Sequence, residues 1–177
     1  MEIVYFAHGT TKDNEKHIAS GWDQLPLSAL GVSQMSESAF KVDVNEFDAI
    51  FCSDLNRSIE SANLLFPKGK KKIVIDSRLR ECNYGIFTKK PNSEVVYSNH
   101  ISTPFPEGES LKEVESRIRL FINDIQLNNY KKIAIVSHRA PQLALDVIFA
   151  NLSWEEAIER DWRKARAFQL GWSYFCS

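Results

Sequence analysis

In the stretch YFAHGTT an apolar run, IVYFA at 3–7, ends and His8, Gly9, Thr10 and Thr11 follow at once. An imidazole in that place is either a satisfied structural group or a base or nucleophile held at the end of a strand. Three more chemically capable side chains stand in comparable places. Arg57 comes shortly after the run AIFCS (49–53), Glu81 shortly after KIVID (72–76), and His138 directly after KIAIVS (132–137). Ligands of open α/β sheets bind beyond the carboxyl ends of the strands. These four groups would therefore converge on one edge.

Two imidazoles and a guanidinium around one point suit a phosphoryl group with no metal. A helix N-terminus and the guanidinium hold the oxygens while one imidazole attacks phosphorus. With an intrinsic pKa of about 6.5, imidazole is substantially neutral at pH 7. A neighbouring carboxylic acid would protonate the departing alkoxide and later take a proton from the attacking water; Glu81 is the candidate. Arg57 adds its own clue, because it falls in the first turn of its helix, where the macrodipole disfavours a cation. It is also turned about 200° from the apolar stripe. Either a surface ion pair with Glu60 or Asp54 or a bound anion would offset that cost.

The elements that must position these groups are readable in outline. The four runs are continuously apolar rather than alternating, as in parallel strands buried on both faces. Residues 28–40 are moderately helical. Residues 54–66 set Leu55, Ile59, Ala62 and Phe66 on one face before Pro67 and Gly69 stop the helix. In GESLKEVESRIRLFINDIQ, Ser110 and Glu113 form a capping-box pattern, and Leu111, Val114, Ile118, Phe121 and Ile125 make a stripe for the sheet. Pro141 marks the start of a helix over about 140–150, and SWEEAIERDW starts another, capped by Ser153 with Glu156 following. The proline-bearing stretch 88–107 reads as an irregular excursion of the kind that serves as a lid. The tail AFQLGWSYFCS reads as an edge strand, KGKKK (68–72) as a solvated loop, and His17 and His100 as surface residues.

The 177 residues, 44% of them hydrophobic, suffice for one domain spanning 1–177. Lys and Arg total 22 against 23 for Asp and Glu, so no net field draws the molecule to nucleic acid or an anionic membrane. Cys52, Cys82 and Cys176 lack any C-x-x-C pair, which argues against a disulfide scaffold or zinc cluster and for a reducing compartment. No apolar stretch approaches the ~20 residues of a membrane span. Acidic Glu2 precedes the first run where a signal peptide would be basic. The expectation is a cytoplasmic protein.

Taken in order, these blocks resemble the histidine phosphatase, or phosphoglycerate mutase-like, superfamily. AHGTTKDN (7–14) is similar to its R-H-G-E-T-x-x-N opening, and SGWDQLPLSALGVSQ (20–34) to its substrate loop and following helix. CSDLNRSIESA (52–62) resembles S-x-L-x-R-x-x-x-T-A, and LRECNYG (79–85) resembles L-R-E-x-x-x-G. FPEGESLKEVESRI (105–118) looks like the G-E-S segment, and IAIVSHRAPQLAL (133–145) like the second-histidine block. The resemblance implies an α/β three-layer α/β/α sandwich around a mainly parallel sheet, and phosphoryl transfer through a phosphohistidine without metal or other cofactor. It places His8 as nucleophile, Glu81 as proton donor and His138 beside them. It places Arg57, Asn14, Ser20, Gly21 and Tyr84 on the substrate. Ala7 stands where the family has the arginine of R-H-G, and Thr10 where it has glutamate. Arg139 replaces a common glycine, and either restores the lost charge or ties down the long loop.

The implied function is hydrolysis of a small phosphorylated metabolite. A phosphoglycerate-type mutase and a catalytically weakened binding protein of the same fold are the alternatives. Sugar phosphates, phosphoglycerate, α-ribazole phosphate and phosphoproteins all suit these residues.

Overall fold

Each apolar run forms a strand: β1 (Glu2–Ala7), β2 (Ala49–Cys52), β3 (Ile73–Ile75) and β4 (Lys132–Ser137). The tail supplies β5 (Trp172–Phe175). The structure is a computed structural model that describes residues 1–67, 71–165 and 171–176. The 68–70 part of the KGKKK loop, and residues 167–170 and 177 of the tail, thus lie outside the described residues. The sheet order is β3-β2-β4-β1-β5; the first four strands are mutually parallel, and β5 runs antiparallel at the edge.

Strand alternation divides the apolar side chains between two cores. Ile3, Tyr5, Phe51, Ile133 and Ile135 pack on one face beneath α4 (Leu111–Gln126), α5 (Arg139–Phe149) and α6 (Trp154–Glu159). Phe6, Ile50, Cys52, Ala134 and Val136 pack on the other beneath α2 (Ala29–Ala39) and α3 (Asn56–Leu65). The result is a three-layer α/β/α sandwich, and the runs read as continuously apolar because both faces are covered. Helix α4 begins at the expected box: Ser110 Oγ accepts the Glu113 amide at 3.2 Å, and Glu113 Oε2 accepts the Ser110 amide at 2.7 Å. A four-residue helix, α1 (Lys12–Glu15), which periodicity did not announce, follows β1. Among the described residues no helix is long and apolar enough to cross a membrane. All three cysteines are free.

The excursion at 88–107 contains two short 3-10 turns, Asn92–Glu94 and Tyr97–His100. It is packed down rather than hinged. Val95, Tyr97 and Phe105 are buried in the α4–α5 core, Phe105 lies edge-on to Tyr84, and His100, expected only as a surface residue, stacks on Phe105 at 3.7 Å. Its aromatic anchors make it a wall of the domain.

Strand order and register decide where the site lies. The chain leaves β1 toward one edge of the sheet and leaves β4, its parallel neighbour, toward the other, which makes a topological switch point. Ala7 pairs with Ser137, so the next residue on each strand is a histidine. Gly31 in α2 supports the loop after β1 from below, since a Cβ there would stand 2.1 Å from the Thr10 carbonyl oxygen and 2.8 Å from its nitrogen. An alanine in a helix ordinarily gains about 0.5–1 kcal/mol over glycine. Gly31→Ala is expected to do the reverse, lowering stability by about 1–3 kcal/mol in urea unfolding as the Thr10 backbone is pushed aside.

Candidate active site

At the carboxyl edge of the sheet lies a cavity of about 540 Å³. All nine side chains or backbones singled out in the sequence border it: His8, Asn14, Ser20, Gly21, Arg57, Glu81, Tyr84, His138 and Arg139.

His8 continues the β1 ladder, its amide donating to the Ser137 carbonyl at 3.0 Å. Its Nδ1 lies 2.7 Å from the Gly9 carbonyl oxygen. A carbonyl only accepts, so Nδ1 carries the proton and Nε2 keeps its lone pair. Burial, then the Arg57 charge, push the pKa of His8 down to about 3. The ring is neutral at any physiological pH. Gly9 in turn donates to Ser61 Oγ at 3.0 Å, and that hydroxyl donates to the Arg57 carbonyl at 2.6 Å, which ties the loop to α3.

The His138 ring stands 4.9 Å from that of His8, centroid to centroid. Its Nε2 shares a 2.6 Å hydrogen bond with Ser53 Oγ, while its buried Nδ1 has no partner. Whichever tautomer is present, the buried Nδ1 lacks a hydrogen-bond partner among the described residues, an uncommon state for a buried polar group. Burial first, and the Arg57 charge after it, hold His138 well below the usual imidazole range.

Arg57 is buried and makes neither of the ion pairs that were weighed for it. Glu60 accepts the Leu27 amide at 2.8 Å, and Asp54 is held by Arg80. The guanidinium instead donates to the carbonyls of Gly21 at 2.7 Å and Asp23 at 2.9 Å, so it shapes the 20–25 loop as well as facing the cavity. Gly21 adopts φ +48°, a left-handed conformation that favours glycine.

Glu81 closes the opposite side. Its Oε1 accepts the amides of Cys82 and Ala140, each at 2.9 Å, and its Oε2 accepts the Arg139 amide at 3.1 Å. Arg139 and Ala140 open α5, so the carboxylate sits against the positive end of that helix. The Glu81 backbone is clamped too: Trp22 Nε1 and Arg117 Nη2 both donate to its carbonyl.

The remaining predicted contacts are partly engaged with protein. Asn14 Oδ1 accepts the Thr11 amide and hydroxyl in a capping box, which leaves the Asn14 amide NH2 for the cavity. Ser20 Oγ donates to Asp13 at 3.1 Å, and the Tyr84 hydroxyl shares a 2.7 Å bond with Tyr97. Arg139 pairs through Nε with Asp161 at 2.6 Å and lies over the Tyr97 ring at 4.3 Å.

Sequence reasoning missed Ser53 and Ser61, whose hydroxyls orient the two histidine loops, and the whole segment Asp161, Trp162, Arg163 and Lys164, which lines the cavity. That segment reads as the end of a polar helix, but α6 stops at Glu159 and the chain turns back over the site. His17, expected at the surface, is exposed and also borders the cavity mouth.

A model of the histidine phosphatase superfamily (branch 1) matches residues 3–172. The chain belongs to the histidine phosphatase superfamily. Within it, the chain is 27% identical over 166 residues to "Putative phosphoserine phosphatase 2" of Hydrogenobacter thermophilus, covering 88% of this chain and 82% of that one. It is 28% identical over 149 residues to "Probable phosphoglycerate mutase GpmB" of Yersinia enterocolitica, covering 78% and 69%. The crystal structure of the α-ribazole phosphatase from Shigella flexneri shares the fold, with a TM-score of 0.79 at 24% identity over 90% of this chain and 84% of that one.

The neutrality of His8 in this member of the superfamily has a cost in acid. The unfolded chain protonates the residue near pH 6.5, whereas the folded chain does so only near pH 3. Between those values the unfolded state binds the extra proton, so stability falls as pH falls. His8→Gln is expected to lose less melting temperature than wild type between pH 7 and pH 4 in thermal melts; parallel slopes would contradict the depressed pKa.

Proposed function

We propose that this chain hydrolyses a small phosphomonoester through a phosphohistidine on His8, with Glu81 as general acid and base and no metal. The observation that carries this reading is the state of His8: a neutral ring whose Nδ1–H is fixed on the Gly9 carbonyl and whose Nε2 lone pair stands at the cavity. His8 Nε2 attacks phosphorus and the ester P–O bond breaks. The leaving alkoxide takes a proton from Glu81, whose carboxylate next removes a proton from water. That water oxygen bonds to phosphorus, the P–N bond breaks, and inorganic phosphate and neutral His8 are released.

The hydrogen bonds on Glu81 favour one oxygen for the proton. Oε1 already accepts two backbone amides and Oε2 only one, so Oε2 retains a position for the transferred proton. Arg57 faces the phosphoryl oxygens in this reading, and negative charge there is stabilised by a guanidinium already in place.

Two measurements test it. Acid quench during turnover of a 32P-labelled substrate is expected to trap label that is alkali-stable and acid-labile, and that disappears in His8→Ala; label on serine or cysteine would refute the mechanism. Glu81→Gln is expected to slow alkyl phosphates by about 10²–10⁴-fold and activated aryl phosphates far less, because aryl oxides depart without protonation. Equal losses on both would remove Glu81 from the acid role.

A further inference from the structure

Ala7 presents only a methyl group to the cavity wall beside His8. A further cation reaches the cavity from the other end of the chain. Arg163 sits in the 3-10 turn Trp162–Ala165 and borders the same cavity. Its Nη1 donates to Gln142 Oε1 at 2.8 Å and to Asp161 Oδ1 at 3.1 Å, and its guanidinium lies 4.7 Å from the centre of the Trp162 ring. The anchors are firm. The Asp161 side chain is 0% exposed, and the buried Gln142 amide also accepts Trp162 Nε1 and donates to Asp146.

One corner of the guanidinium is therefore fixed, while Nε and Nη2 have no acceptor among the described residues although the side chain is only 25% exposed. That Nε–Nη2 edge is a fork which meets an oxyanion through two parallel hydrogen bonds. Charge counting points the same way. Asp161 is the one carboxylate paired with both Arg139 and Arg163, so neither arginine has a carboxylate partner to itself among the described residues. The field of Arg163 reaches both His8 and His138, whereas Arg139, turned onto Asp161 and Tyr97, bears on Tyr84 and Tyr97 instead.

We propose that Arg163 is a phosphoryl-binding residue, whose Nε–Nη2 edge takes two oxygens of the phosphoryl group on the side of the site that Ala7 leaves bare. The assignment rests on reading the His8 cavity as a phosphate pocket. It gives Arg139 the lesser role of holding Asp161 in place.

Calorimetric titration with inorganic phosphate tests it on wild type, Arg163→Ala and the double variant Ala7→Arg/Arg163→Ala, each checked for folding by thermal melt. Arg163→Ala is expected to weaken phosphate binding about ten- to a hundredfold, the size of one charge-assisted contact, and the double variant to regain most of that loss. Phosphate affinity in Arg163→Ala equal to wild type would overturn the proposal. So would a loss that Ala7→Arg does not reverse, since Arg163 would then serve only to hold Asp161 and Gln142. A wild-type protein that binds no phosphate would overturn the phosphate-pocket reading along with it, whereas loss of the proposal alone leaves that reading standing.

Discussion

The parallel pairing of β1 with β4 is the constraint on which the site depends. Because Ala7 and Ser137 are in register, His8 and His138 leave adjacent strands at the same level, and their rings meet at 4.9 Å. Nothing in either loop has to bend to bring them together. The serines below, Ser53 and Ser61, then set the orientation, one hydrogen-bonded to a ring and the other to the backbone of the loop. Each belongs to the β2–α3 segment, so the strand on one side of β4 trims the geometry of the histidines on β4 and β1.

Around that pair the molecule has built a cation-rich enclosure. Desolvation keeps both imidazoles neutral, and the buried Arg57 guanidinium reinforces it. The carboxylates present are each committed. Glu81 is spread over three backbone amides, two of them at the start of α5, and Asp161 is divided between two arginines. The cavity therefore offers more positive than negative charge, an electrostatic preference for an anionic ligand that exists despite a chain whose net charge is −1. The same arrangement explains why the long 88–107 excursion is packed so heavily: Asn92 and Val95 line the cavity, and the Tyr97 ring carries Arg139.

Much of this was legible in the chain itself, and for local reasons. Continuous apolar runs marked four strands, capping boxes at Ser110 and Ser153 marked two helix starts, and the polar residues directly after each run marked one edge of the sheet. The order of those blocks also carried the family. What escaped was contributed by residues whose types are ordinary. Ser53 lies between β2 and α3 and Ser61 in the middle of α3, the Glu81 carboxylate gives no sign in sequence that it will cap a helix beginning at Arg139, and the DWRK segment looks like the frayed end of a charged helix. The ion pairs considered for Arg57 follow helical spacing, but the carbonyls of Gly21 and Asp23 that it meets come from a loop far away in the chain.

The sequence by itself determined the strand runs, the helix starts and the four groups placed after strands, because periodicity, capping and turn chemistry act over a few residues. Only the tertiary structure decided which charge pairs with which. It buried Arg57, assigned Asp161 to both Arg139 and Arg163, and brought the turn after α6 to the cavity that Ala7 borders. Those outcomes depend on desolvation and on how separate segments of the chain are brought together around one cavity, as His8 and Arg163 are, and no local pattern encodes either.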